Sequence, residues 1–326
     1  MLEAMSSAVA GRPVDRSMEG TVMAGVNGTE AQAVAVLGTG IMGSAIARNL
    51  VAAGRSTRVW DRATEATGPL GEDGAVVAAS ARDAVRDAGV VITMLPTADV
   101  LESVMFDDGV VDALADGAVW VQMGTVGVEA TLRVKDWLAT RRPGVLFVDA
   151  PVSGSKGPAE QGQLLILAAG PADAVDIVQP VFDVLGRKTV WLGAAGKGSQ
   201  VKLVVNAYMS ILIEGVAETM ELADRLDISH QQLADVIEGG PLDAPIADAK
   251  FHKMDRRDFA AEFPLEWALK DVDLAIGVGH GESLPLLAAL SGQWHTAVAA
   301  GHGRQDVSAA RLALGPVANP HRSHAD

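Results

Sequence analysis

The stretch GKGSQVKLVVN, residues 196–206, sets two glycines, Lys202 and Asn206 inside an apolar run. A charge among Val201, Leu203, Val204 and Val205 has two readings. Either the side chain snorkels to water from an ordinary amphipathic helix, or it is a lysine held for chemistry. A second group of residues has a more defined use. In VAVLGTGIMGSAIARNL, Gly38, Gly40 and Gly43 stand at the spacing G-x-G-x-x-G, after a strand pattern and at the opening of a helical one. Gly38 permits a tight turn, Gly40 lets backbone approach a pyrophosphate, and Gly43 lets the helix pack on the strand. Phosphate charge then meets the positive helix end. Asp61 ends the next strand pattern, where an acid hydrogen-bonds ribose hydroxyls, and Arg62 beside it could pair with a 2′-phosphate. A carboxylate repels a phosphate, so Asp61 leans the cofactor reading to NAD(H), while Arg62 keeps NADP(H) open. The alternative is a solvated strand end with no ligand.

The elements that must position these groups follow from the apolar pattern. Short apolar runs at 33–38, 57–61, 90–95, 118–123, 145–150, 164–169 and 189–193 alternate with helical stretches such as 80–89 and 128–141. That alternation is the signature of βαβ units and a parallel sheet. After Gly193 the strand patterns stop. Residues 197–226 read as one long helix, with further helices near 229–238, 264–279, 285–301 and 306–314. The expected fold is α/β: a Rossmann-type doubly wound sheet domain over 33–195, a long inter-domain helix, and an all-α C-terminal domain within 196–318. A flexible leader (1–32) and a flexible tail (319–326) are expected to flank them, since neither has periodicity.

Composition narrows the function. The chain has 326 residues, 49% hydrophobic and 21% charged, a globular balance with room for two cores. It has no cysteine, which excludes disulfides, thiolate metal sites and cysteine nucleophiles. A net charge of −15 repels nucleic acid and anionic membranes, so neither is an expected partner, and an anionic substrate needs a locally basic pocket. No run approaches the ~18 consecutive apolar residues of a membrane span. The first residues lack the basic start and apolar core of a secretory signal, so a cytoplasmic location is expected. His230, His252, His280, His295 and His302 lack a metal-ligand spacing and read as surface or ordinary polar residues, with no metal expected.

Four segments carry a family resemblance: Gly38–Gly43 with Ile41 and Met42 inside it, DAPVSGSKGPAEQGQLLILAAG (149–170), GKGSQVKLVVN, and FPLEWALKDVDLA (263–275). In this order they resemble the β-hydroxyacid dehydrogenase family across residues 33–315, with PVSGSKGPAE nearest its glyoxylate/succinic semialdehyde reductase branch. That branch usually has Asn-Arg-Ser/Thr after the second strand; this chain has Asp61-Arg62-Ala63, a departure from the branch's NADPH preference.

The resemblance implies an NAD(P)-dependent oxidoreductase. It would move a hydride between nicotinamide and a small carboxylate-bearing 3-hydroxy acid or aldehyde acid of the 3-hydroxyisobutyrate, glyoxylate or succinic semialdehyde type. Gly196, Gly198, Lys202 and Asn206 fill every place of the family's Gly-x-Gly-x-x-x-Lys-x-x-x-Asn pattern. Lys202 is then the general acid or base, stabilising the oxygen that gains charge as hydride reaches carbon. Asn206, four residues on and on the same helix face, orients the oxygen. Ser153, Gly154 and Ser155, at the end of the 145–150 strand, correspond to substrate contacts, as do Phe263 and Asp271. Leu95, Pro96, Ile41, Met42 and Lys270 correspond to positions lining the cofactor. Thr125 matches a position touching nicotinamide ribose or substrate, next to a Gly124 that replaces a more usual serine. A homodimer is implied, the long helix and helical domain of one chain covering the other's cleft. Two other readings remain: an imine reductase on the same architecture, which usually lacks the lysine, and a non-catalytic dehydrogenase-like oligomerisation module, which would not need Lys202, Asn206 and the glycine loop together.

Overall fold

The computed structural model describes residues 32–278 and 283–314; the expected leader up to residue 31, the tail and His280 lie outside them. Strands β1 (Val34–Leu37), β2 (Thr57–Trp60), β3 (Val76–Val77), β4 (Val90–Thr93), β5 (Val119–Gln122) and β6 (Leu146–Asp149) form a parallel sheet in the order β3-β2-β1-β4-β5-β6. They are linked by α1 (Ile41–Ala52), the short helices α2 (Gly68–Glu72), α3 (Ala81–Val85) and α4 (Ala98–Glu102), and α5 (Val128–Arg141). The central strands β1, β4, β5 and β6 are mostly apolar because helices cover both faces. Val34, Val36, Ile92 and Val121 cluster with Ile46 and Leu50 of α1. Ala35, Leu37, Val91 and Trp120 turn the other way, to Ala84 and Val85 of α3 and Val134 and Leu138 of α5.

Past β6 the structure departs from the expected single sheet. β7 (Val152–Ser153), α6 (Lys156–Glu160), β8 (Leu164–Ala168), α7 (Val175–Leu185) and β9 (Gly186–Trp191) follow, and the three strands make a separate sheet in the order β7-β8-β9. β7 runs antiparallel to β8, and β9 parallel to it. The chain turns away at Pro151, which has no N–H to offer a ladder.

Among the described residues, five α-helices follow: α8 (Lys197–Arg225), α9 (His230–Ile237), α10 (Pro245–Asp255), α11 (Leu265–Val278) and α12 (Pro285–Ala297). Ile213, Ala217 and Met220 of α8, Leu269 and Val272 of α11, and Leu290 and Trp294 of α12 share one core. By length and composition alone α8 could cross a membrane, but its inner face packs in this core. The helix expected to reach 301 ends at Ala297 and passes into a π-turn, Val298–His302, broken at Gly301, whose φ is +95°. The last expected helix is a 3-10 turn, Val307–Ala313. His230, His252 and His295 sit beside aspartates, and His302 beside Gln305.

The inner face of helix α10 mixes Phe251 and Met254, which join the helical core, with two buried lysines, Lys250 and Lys253. Lys250 Nζ lies 3.0 and 3.1 Å from the oxygens of fully buried Asp306 and 3.2 Å from Glu262 Oε2. Such burial is tolerated only because the charges are paired and hydrogen-bonded. Asp306 also accepts the N–H groups of Glu262 and Phe263, which fixes the chain's entry into α11.

Glu214 of α8 is buried as well. Its Oε2 accepts the Trp294 indole N–H at 2.6 Å, and its Oε1 has no partner among the described residues. Burial pushes the carboxyl up to about 7; the indole bond opposes this and Glu218 one turn on adds to it. The native chain therefore holds a proton that the unfolded chain, titrating near 4.5, has lost. Stability is expected to fall as pH rises from about 4.5 to about 7 and then to level off. Glu214→Gln keeps an acceptor for the indole and is expected to flatten that slope and to raise Tm above neutrality by a few degrees. Melting curves against pH check this; identical slopes in both proteins would refute it.

Candidate active site

At the carboxyl end of β1 two glycines are closed to any side chain. Gly38 has φ +93°, and a Cβ there would lie 2.5 Å from Met94 O; a Cβ on Gly43 would lie 1.8 Å from Gly38 O. Gly40 is the opposite case: a Cβ on it would meet nothing within 4 Å, because it faces open space ahead of α1. Helix α1 has no capping side chain and no acid in its first turn. Its first N–H groups, on Ile41, Met42 and Gly43, are thus left for an anion. A cradle walled by backbone, open at Gly40 and headed by free N–H groups fits a dinucleotide pyrophosphate.

Asp61 follows β2 and is tied to this cradle. Its Oδ2 accepts the Thr39 N–H at 2.6 Å and the Thr39 hydroxyl at 3.3 Å, while its Oδ1 accepts the Ala63 N–H at 2.9 Å. The residue read as a ribose ligand is therefore also a clamp on the glycine loop. A carboxylate has lone pairs for about four hydrogen bonds, so ribose hydroxyls stay within its capacity. Arg62 is exposed and makes no ion pair among the described residues.

Leu95 is buried and Pro96 exposed where β4 ends. The Leu95 side chain lies 3.0 Å from the Cβ position of Gly38, and its carbonyl oxygen 2.4 Å from that of Gly124. This backbone has no room for a serine at 124, which accounts for the glycine. A buried chain of side chains supports the loop: Trp120 Nε1 donates to Thr93 Oγ1 (2.9 Å), Thr93 to Gln122 Oε1 (2.7 Å), and Gln122 Nε2 to Gly124 O (2.9 Å).

Helix α8 starts hard against the two sheets. Gly196 has φ +99°, and a Cβ on Gly198 would lie 2.4 Å from Leu167 O. One turn on, Lys202 and Asn206 face α11. Buried Asn206 donates from Nδ2 to Asp271 Oδ2 at 2.6 Å. Lys270 Nζ stands 2.8 Å from Asp271 Oδ1 and donates to the Thr125 carbonyl. Lys202 is partly exposed, yet enclosure of its ammonium by protein lowers its pKa from 10.5 to about 8; Asp271 opposes the shift and Lys270 adds to it. Lys202, Asn206, Lys270, Asp271 and Thr125 thus form one cluster, in which a lysine can gain or lose a proton near neutrality beside a fixed amide.

The other expected contacts are arranged differently. Ser153 and Ser155 are half-buried and Gly154, with φ +130°, is exposed; none makes a side-chain hydrogen bond to the lysine cluster. Phe263 packs against the helical core, its N–H donating to Asp306 and its carbonyl accepting from Val307. Asp149, Ser199 and Thr131, which bind the start of α8 to the sheet, escaped the sequence reading. The available signal was an acid closing the apolar run VLFVDA.

A sheet in this strand order, a phosphate cradle on its first strand and a titratable lysine, partly enclosed, brought by the next domain define a nicotinamide-dependent oxidoreductase. Residues 33–193 match the family model for the NAD-binding domain of 6-phosphogluconate dehydrogenase, and residues 196–314 that for the NAD-binding region of NADP-dependent 3-hydroxyisobutyrate dehydrogenase. The chain belongs to the β-hydroxyacid dehydrogenase family. It is 36% identical to glyoxylate/succinic semialdehyde reductase 1 of Arabidopsis thaliana, over 85% of this chain and 96% of that one. The structure of Mycobacterium tuberculosis 3-hydroxyisobutyrate dehydrogenase with L-serine superposes with a TM-score of 0.77 at 30% identity, covering 87% of this chain and 99% of that one. An imine reductase from Myxococcus stipitatus in complex with NADP+ gives a TM-score of 0.61 at 21% identity, covering 87% and 100%, a likeness of fold alone.

Proposed function

We propose that the protein interconverts a small 3-hydroxy acid and the matching aldehyde acid, with Lys202 exchanging the proton. The observation that carries this is Lys202 itself: a lysine whose enclosure brings its pKa to about 8, next to Asn206 on one face of α8. Bound nicotinamide dinucleotide supplies or accepts the hydride. In reduction the Lys202 ammonium stabilises the oxygen as it gains charge and then protonates it; in oxidation the neutral amine takes the alcohol proton. Asp271 holds the Asn206 amide by its Nδ2, which leaves the amide oxygen to orient the substrate hydroxyl or Lys202. Lys202 and Lys270 against the single carboxylate of Asp271 give the local positive balance that an anionic substrate needs in a chain of net charge −15. Ser153, Ser155 and the unshielded Gly154 backbone offer donors for the substrate carboxylate.

Asp61, fixed to Thr39 at the cradle, supports a preference for NAD(H), since a 2′-phosphate would meet its charge. A homodimer is supported by the apolar face of α8, where Val204, Tyr208 and Leu222 are exposed, continued by exposed Leu226 just past its end, an arrangement typical of an interface.

Steady-state kinetics with glyoxylate, succinic semialdehyde and 3-hydroxyisobutyrate, each with both nicotinamide cofactors, test the proposal. Turnover of at least one is expected, with NAD(H) preferred and the preference moving several-fold towards NADP(H) in Asp61→Asn. A shift the other way would refute the cofactor argument. Tight dinucleotide binding with no turnover of any hydroxy acid, aldehyde or imine would leave the non-catalytic module. Imine turnover without alcohol chemistry would favour the imine reductase, against which Lys202 stands.

A further inference from the structure

Asp149 takes no part in the chemistry above, yet its side chain joins the sheet to the helix that carries Lys202. It ends β6 and is 1% exposed, with its backbone N–H and carbonyl both paired to Ala169, at 2.9 and 2.8 Å. The carboxylate, so fixed, reaches the first turn of α8. Oδ2 accepts the N–H groups of Gly196 and Ser199, both at 2.9 Å, and Oδ1 accepts the Ser199 hydroxyl at 2.7 Å. Ser199 Oγ also lies 3.0 Å from Thr131 Oγ1 of α5. Helix α8 has no capping side chain of its own and no acid in its first turn. Asp149 supplies both from another element, and a negative charge there complements the helix dipole. Burial raises the carboxyl's pKa, and the bonds from Ser199, Gly196 and Gly198 pull it back.

We infer that Asp149 is a positioning residue for Lys202, holding the first turn of α8 so that the lysine is enclosed opposite Asp271 and Lys270. Ser199 and Lys202 are three residues apart and share a helix side. The clearance at this turn is already closed, since the Cβ position of Gly198 lies 2.8 Å from Asp149 O. A displacement of the turn therefore carries Lys202 with it, and misplacing a reacting group by about 1 Å costs on the order of a hundredfold in rate. The inference rests on the proposed role of Lys202 for its catalytic consequence, but not for its geometry.

The test reads Lys202 without needing turnover. The rate at which an amine-acylating reagent modifies Lys202 is followed against pH by peptide mass spectrometry, with exposed Lys188 as internal control. Wild type is expected to show a midpoint at about 8. In Asp149→Ala the loosened turn admits water, enclosure is the largest cause of the low value, and the midpoint is expected to move upward while Lys188 stays put. Asp149→Asn keeps an acceptor oxygen for the helix N–H groups and is expected to restore most of the shift. Where a substrate turns over, kcat of Asp149→Ala should fall by about tenfold or more with dinucleotide affinity unchanged. Ser199→Ala, which removes the 2.7 Å bond to Asp149 and the 3.0 Å contact with Thr131 but keeps the backbone N–H bonds to Asp149, should move the midpoint the same way by less, and it decides the matter if Asp149→Ala does not fold. An unchanged midpoint in the folded variants overturns the inference, even if they melt earlier. Absence of turnover in wild type overturns the proposed function and leaves this result readable.

Discussion

Lys202→Ala is expected to lower kcat at least about a hundredfold in both directions, while the affinity for nicotinamide dinucleotide stays within about twofold. The separation follows from the layout. The dinucleotide cradle is built by the β1 turn, the start of α1 and the loops after β4 and β5, whereas Lys202 enters from α8. Truncation removes the lysine whose enclosure brings its pKa to about 8 and leaves the Asn206–Asp271 hydrogen bond in place. The loss should fall on kcat, because the proton moves in the transition state and not in the ground-state complex. Dinucleotide titration beside initial-rate measurement checks both halves. Unchanged turnover would remove Lys202 from the mechanism, and a matching loss of dinucleotide affinity would mean that it holds the cofactor.

Gly43→Ala should have an effect of similar size on binding. The new methyl would sit 1.8 Å from Gly38 O, backbone against backbone, with no flexible side chain to give way. Helix α1 must move off β1, which takes its N–H groups out of line with the phosphates and costs about 1–3 kcal/mol or more in packing. Dinucleotide affinity is expected to fall at least about a hundredfold, the equivalent of about 2.7 kcal/mol, with a lower Tm. Gly40→Ala gives the contrast, since its methyl meets nothing within 4 Å. That variant should melt like wild type and still bind dinucleotide more weakly. Calorimetric titration and melting curves of the two variants test this; wild-type affinity in Gly43→Ala would show that the cradle is misassigned.

The sheet half of the fold was legible because it obeys two rules at once. Strands covered on both faces are written as unbroken apolar runs, and the glycine spacing marks the first strand-to-helix turn. β3 and β7 were invisible because two residues carry no period. α10 was hidden for a different reason: its buried side mixes Phe251 and Met254 with Lys250 and Lys253, and the lysines' pairing with Asp306 and Glu262 is a fact of tertiary structure that periodicity cannot register. The division of strands between two sheets was equally hidden, since local pattern does not say which strand pairs with which.

Within the site, Lys202 and Asn206 were readable as one helix face because their spacing equals a helical turn. Their partners were not readable from spacing. Asp271 meets Asn206 across 65 residues and Asp149 meets Ser199 across 50, distances that only the packing of α8 on α11 and β6 can close. Asp61 shows the same limit at short range. Its place at a strand end suggested a ribose ligand, while its bond to the Thr39 N–H adds a second task that no pattern of residue types discloses.

The central claim, that Lys202 is the proton-exchanging group, is tested most directly by the pH dependence of alcohol oxidation. Oxidation needs the neutral amine, so log kcat/KM should climb with pH and level off above about 8, where the lysine has lost its proton. Reduction should show the mirror image, falling above the same point. In Lys202→Met the residual rate should lack that limb. A limb near 8 that survives in Lys202→Met would assign the titrating group elsewhere and contradict the account.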